Sequence, residues 1–165
     1  MEDISVFDNL FSEQEYRMIR DWCLNASYHY GETDYKHLSP TGMICNINQK
    51  EDVYQLISHR VSEICPEIKN ITPYRVYVNC FASSENPHFH TDSNEPGLTF
   101  LYYVDTQDWE PNDGGETQFL IDENIYGIIP IANRLCRFDS RLLHRATSFR
   151  NRHRFTIALK YHLTN

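Results

Sequence analysis

The sequence predicts a mostly β chain with two supporting helices, an α+β arrangement whose core is a closed or double-sheet β structure. Three observations carry this. Two amphipathic stripes at helical spacing come first, around Tyr16 and around Ile57. From Thr72 the apolar period shortens to the alternation of strands. Short β-branched and aromatic runs, separated by Gly, Asn and Asp turns, then continue to the end, as in barrels and double sheets. At 165 residues the chain reads as one domain, 1–165, with helical support over about 1–70 and a β core over about 71–163.

Ile4-Ser5-Val6-Phe7 reads as a short strand. Ser12 with Glu15 forms a capping box, and Tyr16, Ile19, Cys23 and Ala26 keep helical spacing behind it. This predicts a helix from about Ser12 to Asn25 with one face on a sheet. Residues 27–50 have no clear period and carry Tyr28, His29, Tyr30, Tyr35, His37, Pro40 and Gly42. Such a segment is either a binding loop or lid, or a pair of short edge strands with exposed tyrosines. Val53, Leu56, Ile57, Val61, Ile64 and Cys65 make the second stripe, which Pro66 closes. Strands are predicted at Arg75–Phe81, Gly97–Val104, Thr117–Ile121, Ile125–Ile129, Leu135–Phe138 and Arg154–His162. In the last of these, Arg154, Thr156, Ala158 and Lys160 share one face, and Phe155, Ile157, Leu159 and Tyr161 the other. The apolar face should pack on a neighbouring layer, and the small, polar face should line a ligand-holding interior.

Composition narrows the function classes. No apolar run is long enough to span a bilayer, and no charged-then-apolar leader follows Met1, so no membrane partner is expected. The five cysteines are odd in number, widely spaced and without a Cys-x-x-Cys, which fits buried thiols in a reducing, intracellular, cytoplasmic setting. The net charge of −8 disfavours nucleic acid. That average hides a split. Up to Glu123 there are 22 acidic and 7 basic residues, or −15, and from Asn124 onward 8 basic residues and only Asp139, or +7. The two halves either pair across the fold or turn part of the excess toward an anionic ligand.

The chemistry centres on Pro87-His88-Phe89-His90-Thr91-Asp92. His90-x-Asp92 alone is a common polar turn. Together with His144 it offers two imidazoles and one carboxylate, which can take one face of an Fe(II) ion and leave the other open. Arg154 follows the distal histidine and supplies a fixed cation for a dicarboxylate, with Arg152 as a rival. Laying the ligand pair on His88 and His90 instead would lose the carboxylate, so His90-x-Asp92 is the preferred register.

Several pieces follow in order: Gly97–Val104, Gly114-Gly115-Glu116-Thr117-Gln118-Phe119, Arg134–Asp139, Leu143-His144 and Arg154–Tyr161. With them the chain from about Tyr74 to Tyr161 resembles the 2-oxoglutarate- and Fe(II)-dependent oxygenases, in particular the prolyl 4-hydroxylase-like branch. The Gly-Gly-Glu-Thr run before Phe119 is the most specific piece after the metal residues. The resemblance implies a double-stranded β-helix of the jelly-roll or cupin-like kind, with the two helices packed on one sheet. It implies iron on His90, Asp92 and His144, and 2-oxoglutarate on Arg154 with Tyr103 and Thr156 nearby. O2 completes the set, with ascorbate as a reductant. Asn133 stands where the family carries Gly, a mild change because Asn tolerates positive φ.

The activity implied is that of a dioxygenase, an oxidoreductase coupling decarboxylation of 2-oxoglutarate to succinate with hydroxylation of a prolyl or other peptidyl side chain. A small polar molecule is the other candidate substrate. Tyr28, Tyr30, Tyr35 and Trp109 are the candidate substrate contacts, on acidic, aromatic segments around the expected mouth. Two other classes stay open: a cupin-like metal enzyme without 2-oxoglutarate, and a non-catalytic binding module on the same fold. The anion anchor Arg154 speaks against the first, and the intact ligand set against the second.

Overall fold

Ser12 opens the first helix. Its Oγ accepts from the Glu15 backbone N–H while the Glu15 carboxylate accepts from the Ser12 N–H, so both halves of the predicted capping box form. The computed structural model describes residues 4–31, 33, 37–83, 85–104 and 108–163. Strand β1 (Ile4–Phe7) precedes helix α1 (Glu13–Asn25). Strands β2 (His29–Tyr30) and β3 (Met43–Asn46) lead to helix α2 (Asp52–Ile64), and Pro66 begins a 3-10 turn that ends it. Then come β4 (Arg75–Phe81), β5 (Gly97–Tyr103), β6 (Thr117–Ile121), β7 (Asn124–Ile128), β8 (Arg134–Asp139), β9 (His144–Ala146) and β10 (Arg154–His162).

These strands form two antiparallel sheets, ordered β1-β8-β5-β10-β4-β3-β2 and β7-β6-β9. The result is the mostly β double-stranded β-helix with two helices that the sequence predicts. Strand parity divides the large sheet as expected. Val78, Phe100, Tyr102, Leu135, Ile157, Leu159 and Tyr161 face outward and pack with Tyr16, Ile19 and Cys23 of α1 and Val53, Ile57 and Val61 of α2. Tyr77, Leu101, Tyr103, Cys136, Phe138 and Ala158 face inward and meet Phe119 of the small sheet. Full burial of one such side chain contributes about 1.5–3 kcal/mol, so both clusters hold the sheets in place.

Of the two readings of residues 27–50, the pair of short edge strands is the one the structure takes, and the loop or lid is not. The chain there extends the large sheet through β2 and β3 at the β4 edge, with Ile44 buried. Edge pairing satisfies backbone groups that a free loop would leave to water. Tyr35 lies outside the described residues. β9 is the one strand that the sequence did not indicate; at three residues it is too short to show a period.

Part of the charge split resolves into pairing across the fold. Arg134 meets Asp8, Arg137 meets Glu67, Arg152 meets Asp113 and Lys160 meets Asp92. The five cysteines are free thiols, and no helix among the described residues is long and apolar enough to cross a membrane.

Asn133 fastens the helical layer to the large sheet. It takes the positive φ, 63°, expected of the turn before β8. Its Oδ1 accepts from the Phe11 N–H at 3.0 Å and the Tyr102 hydroxyl at 3.1 Å, and its Nδ2 donates to the Phe11 carbonyl at 2.8 Å. Asn133→Ala should therefore lower unfolding stability by about 2–4 kcal/mol, from lost bonds to buried partners plus left-handed strain. Asn133→Gly should cost less, because only the strain is relieved. Urea denaturation of the two variants checks the order, and equal stability of Asn133→Ala and the parent would contradict it.

Candidate active site

The site is set first by backbone. His90 lies on no named strand, yet its N–H donates to the His144 carbonyl and the His144 N–H donates back to the His90 carbonyl, both at 2.9 Å. This reciprocal pair puts the two residues opposite each other at the β9 edge, with ring centroids 4.6 Å apart. Two residues on, the Asp92 N–H donates to the Ser140 carbonyl, which swings the carboxylate under the imidazoles.

His90, Asp92 and His144 each offer a ligand atom, and these atoms lie within 4.8 Å of one another. The ring nitrogens are already sorted. His90 Nδ1 lies 3.0 Å from the His88 carbonyl, and His144 Nδ1 lies 2.9 Å from the Leu142 carbonyl. Each Nδ1 must therefore carry the proton, which leaves the Nε2 lone pairs for a metal. Burial, partly opposed by Asp92, pushes His144 down to about 4, so its ring is neutral at pH 7. Two imidazoles with free Nε2 atoms and a carboxylate on one side of a pocket suit Fe(II) and keep its remaining positions open. His88 is exposed, and its part among these contacts is its carbonyl.

Asp92 is held at both oxygens. Thr99 Oγ1 donates to Oδ2 at 2.6 Å, and Lys160 Nζ approaches Oδ1 at 2.6 Å. Burial alone would raise this carboxyl; the charge of Lys160 and the hydrogen bonds from Lys160 and Thr99 outweigh it and hold Asp92 ionised.

Arg154 sits at the other end of the inner row of β10 and is fully enclosed. Its Nε donates to the Gly115 carbonyl at 2.8 Å, and its terminal nitrogens reach Thr117 Oγ1 at 2.8 Å and Thr156 Oγ1 at 3.3 Å. Tyr103 packs beneath it, ring centre 5.5 Å from the guanidinium carbon, and donates to Thr117 at 2.6 Å. No carboxylate lies within salt-bridge distance of Arg154 among the described contacts, and burial lowers its pKa. A buried guanidinium held only by neutral groups is built to receive an anion. Gly115 makes room for this. It has a φ of 87°, and a Cβ there would lie 2.5 Å from the Phe149 ring. Arg152 instead pairs with Asp113 at the surface and stacks on Phe149.

A pocket joins the two ends and is lined by His90, Asp92, His144, Arg154, Thr156 and Lys160, with Tyr77, Phe81, Pro87 and Leu101 as its apolar walls. Of the predicted substrate contacts, Tyr28, Tyr30 and Trp109 are not among its lining residues, and Tyr35 lies outside the described residues. Tyr28 packs on Phe155, on the outer, helix-side face, and donates to the Cys23 carbonyl. Tyr30 pairs in register with Met43, and Met43 with Cys80, which puts it on that same outer face, with its hydroxyl on the Pro40 carbonyl. Trp109 closes its own loop through Gly114. The parity of β2 and β3, which turns Tyr30 outward, has no signal within either short strand. Thr99, Asn79 and Lys160 are polar lining residues that no motif singled out; only the alternation along β10 pointed to Lys160.

The family model of the 2OG-Fe(II) oxygenase superfamily matches residues 74–162, more than half the chain, and the chain belongs to that superfamily. It is an Fe(II)- and 2-oxoglutarate-dependent dioxygenase, and the residues present fit both groups. Among solved structures, a Trichoplax adhaerens prolyl hydroxylase in complex with a hypoxia inducible factor oxygen degradation domain peptide fragment is similar. It has a TM-score of 0.81 and 19% identity, covering 98% of this chain and 84% of that one. A Pseudomonas putida prolyl-4-hydroxylase has a TM-score of 0.81 and 13% identity, with 99% and 94% covered. HygX from Streptomyces hygroscopicus, with nickel, 2-oxoglutarate and hygromycin B bound, has a TM-score of 0.75 and 10% identity, with 98% and 83% covered. No curated protein sequence matches the chain.

His90→Ala should abolish binding of Mn(II) or Co(II), and His88→Ala should retain it, as read by calorimetric titration of chelator-treated protein. Loss of binding in His88→Ala with retention in Asp92→Ala would move the ligand set to the other register.

Proposed function

We propose that the chain hydroxylates a proline-containing peptide, with Fe(II) on His90, Asp92 and His144 and the distal carboxylate of 2-oxoglutarate on Arg154. The observation that carries this is a buried guanidinium held only by neutral groups, facing the same pocket as the three metal-ligand candidates. When bound, the iron, 2-oxoglutarate and O2 supply the oxidising chemistry, giving succinate, CO2 and a hydroxylated product.

The chain's own residues orient and enclose. The carbonyls of His88 and Leu142 fix both imidazole tautomers. Thr99 and Lys160 hold the Asp92 carboxylate, so its orientation costs little at the moment of use. Arg154 presents a planar fork pre-aimed by Gly115, Thr117 and Thr156, and Tyr103 excludes water from beneath it.

The substrate reading rests on the wall of the pocket. Tyr77, Phe81, Pro87 and Leu101 offer aromatic and apolar surface to a prolyl ring. Carboxylates and an aromatic ring take up several of the carboxy-terminal arginines, which speaks against a basic track. Arg141 pairs with Asp139, Arg152 with Asp113, and Arg145 stacks on Phe89. A nucleic-acid groove needs such a track. The likeness to a prolyl hydroxylase seen with a peptide supports the same reading. The likeness to HygX, seen with hygromycin B, favours a small polar molecule as the second one.

Succinate formation with Fe(II) should rise on adding proline-containing peptides and stay flat with oligonucleotides. Arg154→Ala should weaken 2-oxoglutarate affinity about ten-fold to a hundred-fold, on the order of 1.5–3 kcal/mol, and Arg152→Ala should change it little. Stimulation by single-stranded DNA with base oxidation in the mass spectrum would replace the peptide reading. The reverse ranking of the two arginine variants would transfer the anchor to Arg152.

A further inference from the structure

The inner row of β10 carries a second buried cation. Arg154 and Lys160 stand six residues apart on one face, about 20 Å along an extended strand, so Arg154 cannot serve Asp92. Lys160 does. Its side chain is 10% exposed, and its Nζ lies 2.6 Å from Asp92 Oδ1, closer than the 3.7 Å and 3.6 Å at which His90 and His144 approach that carboxylate. Its cross-strand partner on β5 is Thr99, which holds the other oxygen. The ammonium also lies 5.2 Å from the Tyr77 ring centre, and Tyr77 carries the Arg75 guanidinium 3.9 Å away. The lysine is thus held between Asp92 and Tyr77 rather than reaching in from solvent.

A buried lysine this close to a metal carboxylate has two consequences of opposite sign. A buried carboxylate without a partner is strongly destabilising, so the ammonium stabilises the protein while no metal is bound. A divalent cation seeking the same carboxylate meets a fixed positive charge at close quarters, in a site too buried for salt to screen it. We propose that Lys160 is the counter-cation of Asp92, keeping the ligand set assembled without metal and competing with the metal for the carboxylate. Each Asp92 oxygen has a second lone pair, so the ammonium need not leave when metal binds. It weakens the metal and keeps the carboxylate in place. Lys160 is a positioning residue in this account, and the inference rests on the reading of His90, Asp92 and His144 as the metal site.

Lys160→Met and Lys160→Gln separate this from a merely structural role, which would loosen the ligand set and weaken metal binding. Chelator-treated protein is melted with and without Mn(II), and Mn(II) affinity is measured by calorimetry. Both variants should melt lower than the parent without metal and gain more on adding Mn(II). They should bind Mn(II) at least about ten-fold more tightly. Unchanged melting without metal, or weaker Mn(II) binding, overturns the proposal. So does failure of both variants to fold even with Mn(II) present, since the ammonium would then be holding the fold and not the ligand set. His90→Ala is the control. If the parent itself binds no Mn(II), or binds it as His90→Ala does, the metal-site reading fails and not the role of Lys160 alone.

Discussion

The reciprocal hydrogen bonds between the backbones of His90 and His144 are the constraint on which the site depends. The first residue lies in a turn-rich connection between β4 and β5, and the second begins β9 of the small sheet. Tying them face to face fixes the separation of the two imidazoles before any metal is considered. It also brings Asp92 under them, because the next anchor along the chain is the Asp92 N–H on the Ser140 carbonyl. A strand pair is a stiff way to position ligands, and it leaves only side-chain rotations to be settled. Those are settled by the carbonyls of His88 and Leu142 and by Thr99 and Lys160.

The same sheet handles buried charge by distributing it. β10 carries Arg154 at one end of its inner face and Lys160 at the other, with Thr156 and Ala158 between. One cation lies against a carboxylate of the protein. The other is surrounded by neutral oxygens and so is left for a carboxylate that arrives with a ligand. Two buried cations on one strand would be hard to sustain without these different arrangements. The outer face of the same strand contributes Ile157, Leu159 and Tyr161 to the helix-side core, so the alternation of a single strand joins stability to function.

Much of this was legible in the sequence because it is local. The capping box at Ser12, the stripes of α1 and α2, and the two faces of β10 follow from spacing within one element. The ligand set was legible through its residue types and order, and Asn133 through its tolerance of positive φ. What was not legible depends on pairing between distant segments. Residues 27–50 read equally as a loop or as two short edge strands because β2 and β3 are too short to show a period, and only their register with β4 shows that Tyr30 faces away from the pocket. β9 is a strand because β6 and His90 supply its hydrogen bonds. The role of Lys160 needed the distance to Asp92; in the sequence it was one polar residue on the correct face.

The account stands or falls on whether one pocket holds both the metal and the dicarboxylate in the stated register. A crystal structure of the protein with Mn(II) and 2-oxoglutarate, prepared without oxygen, tests this most directly. The account predicts the metal on His90 Nε2, His144 Nε2 and an Asp92 oxygen, with the distal carboxylate of 2-oxoglutarate on Arg154. Metal bound through His88, or a distal carboxylate on Arg152 with Arg154 untouched, would contradict it.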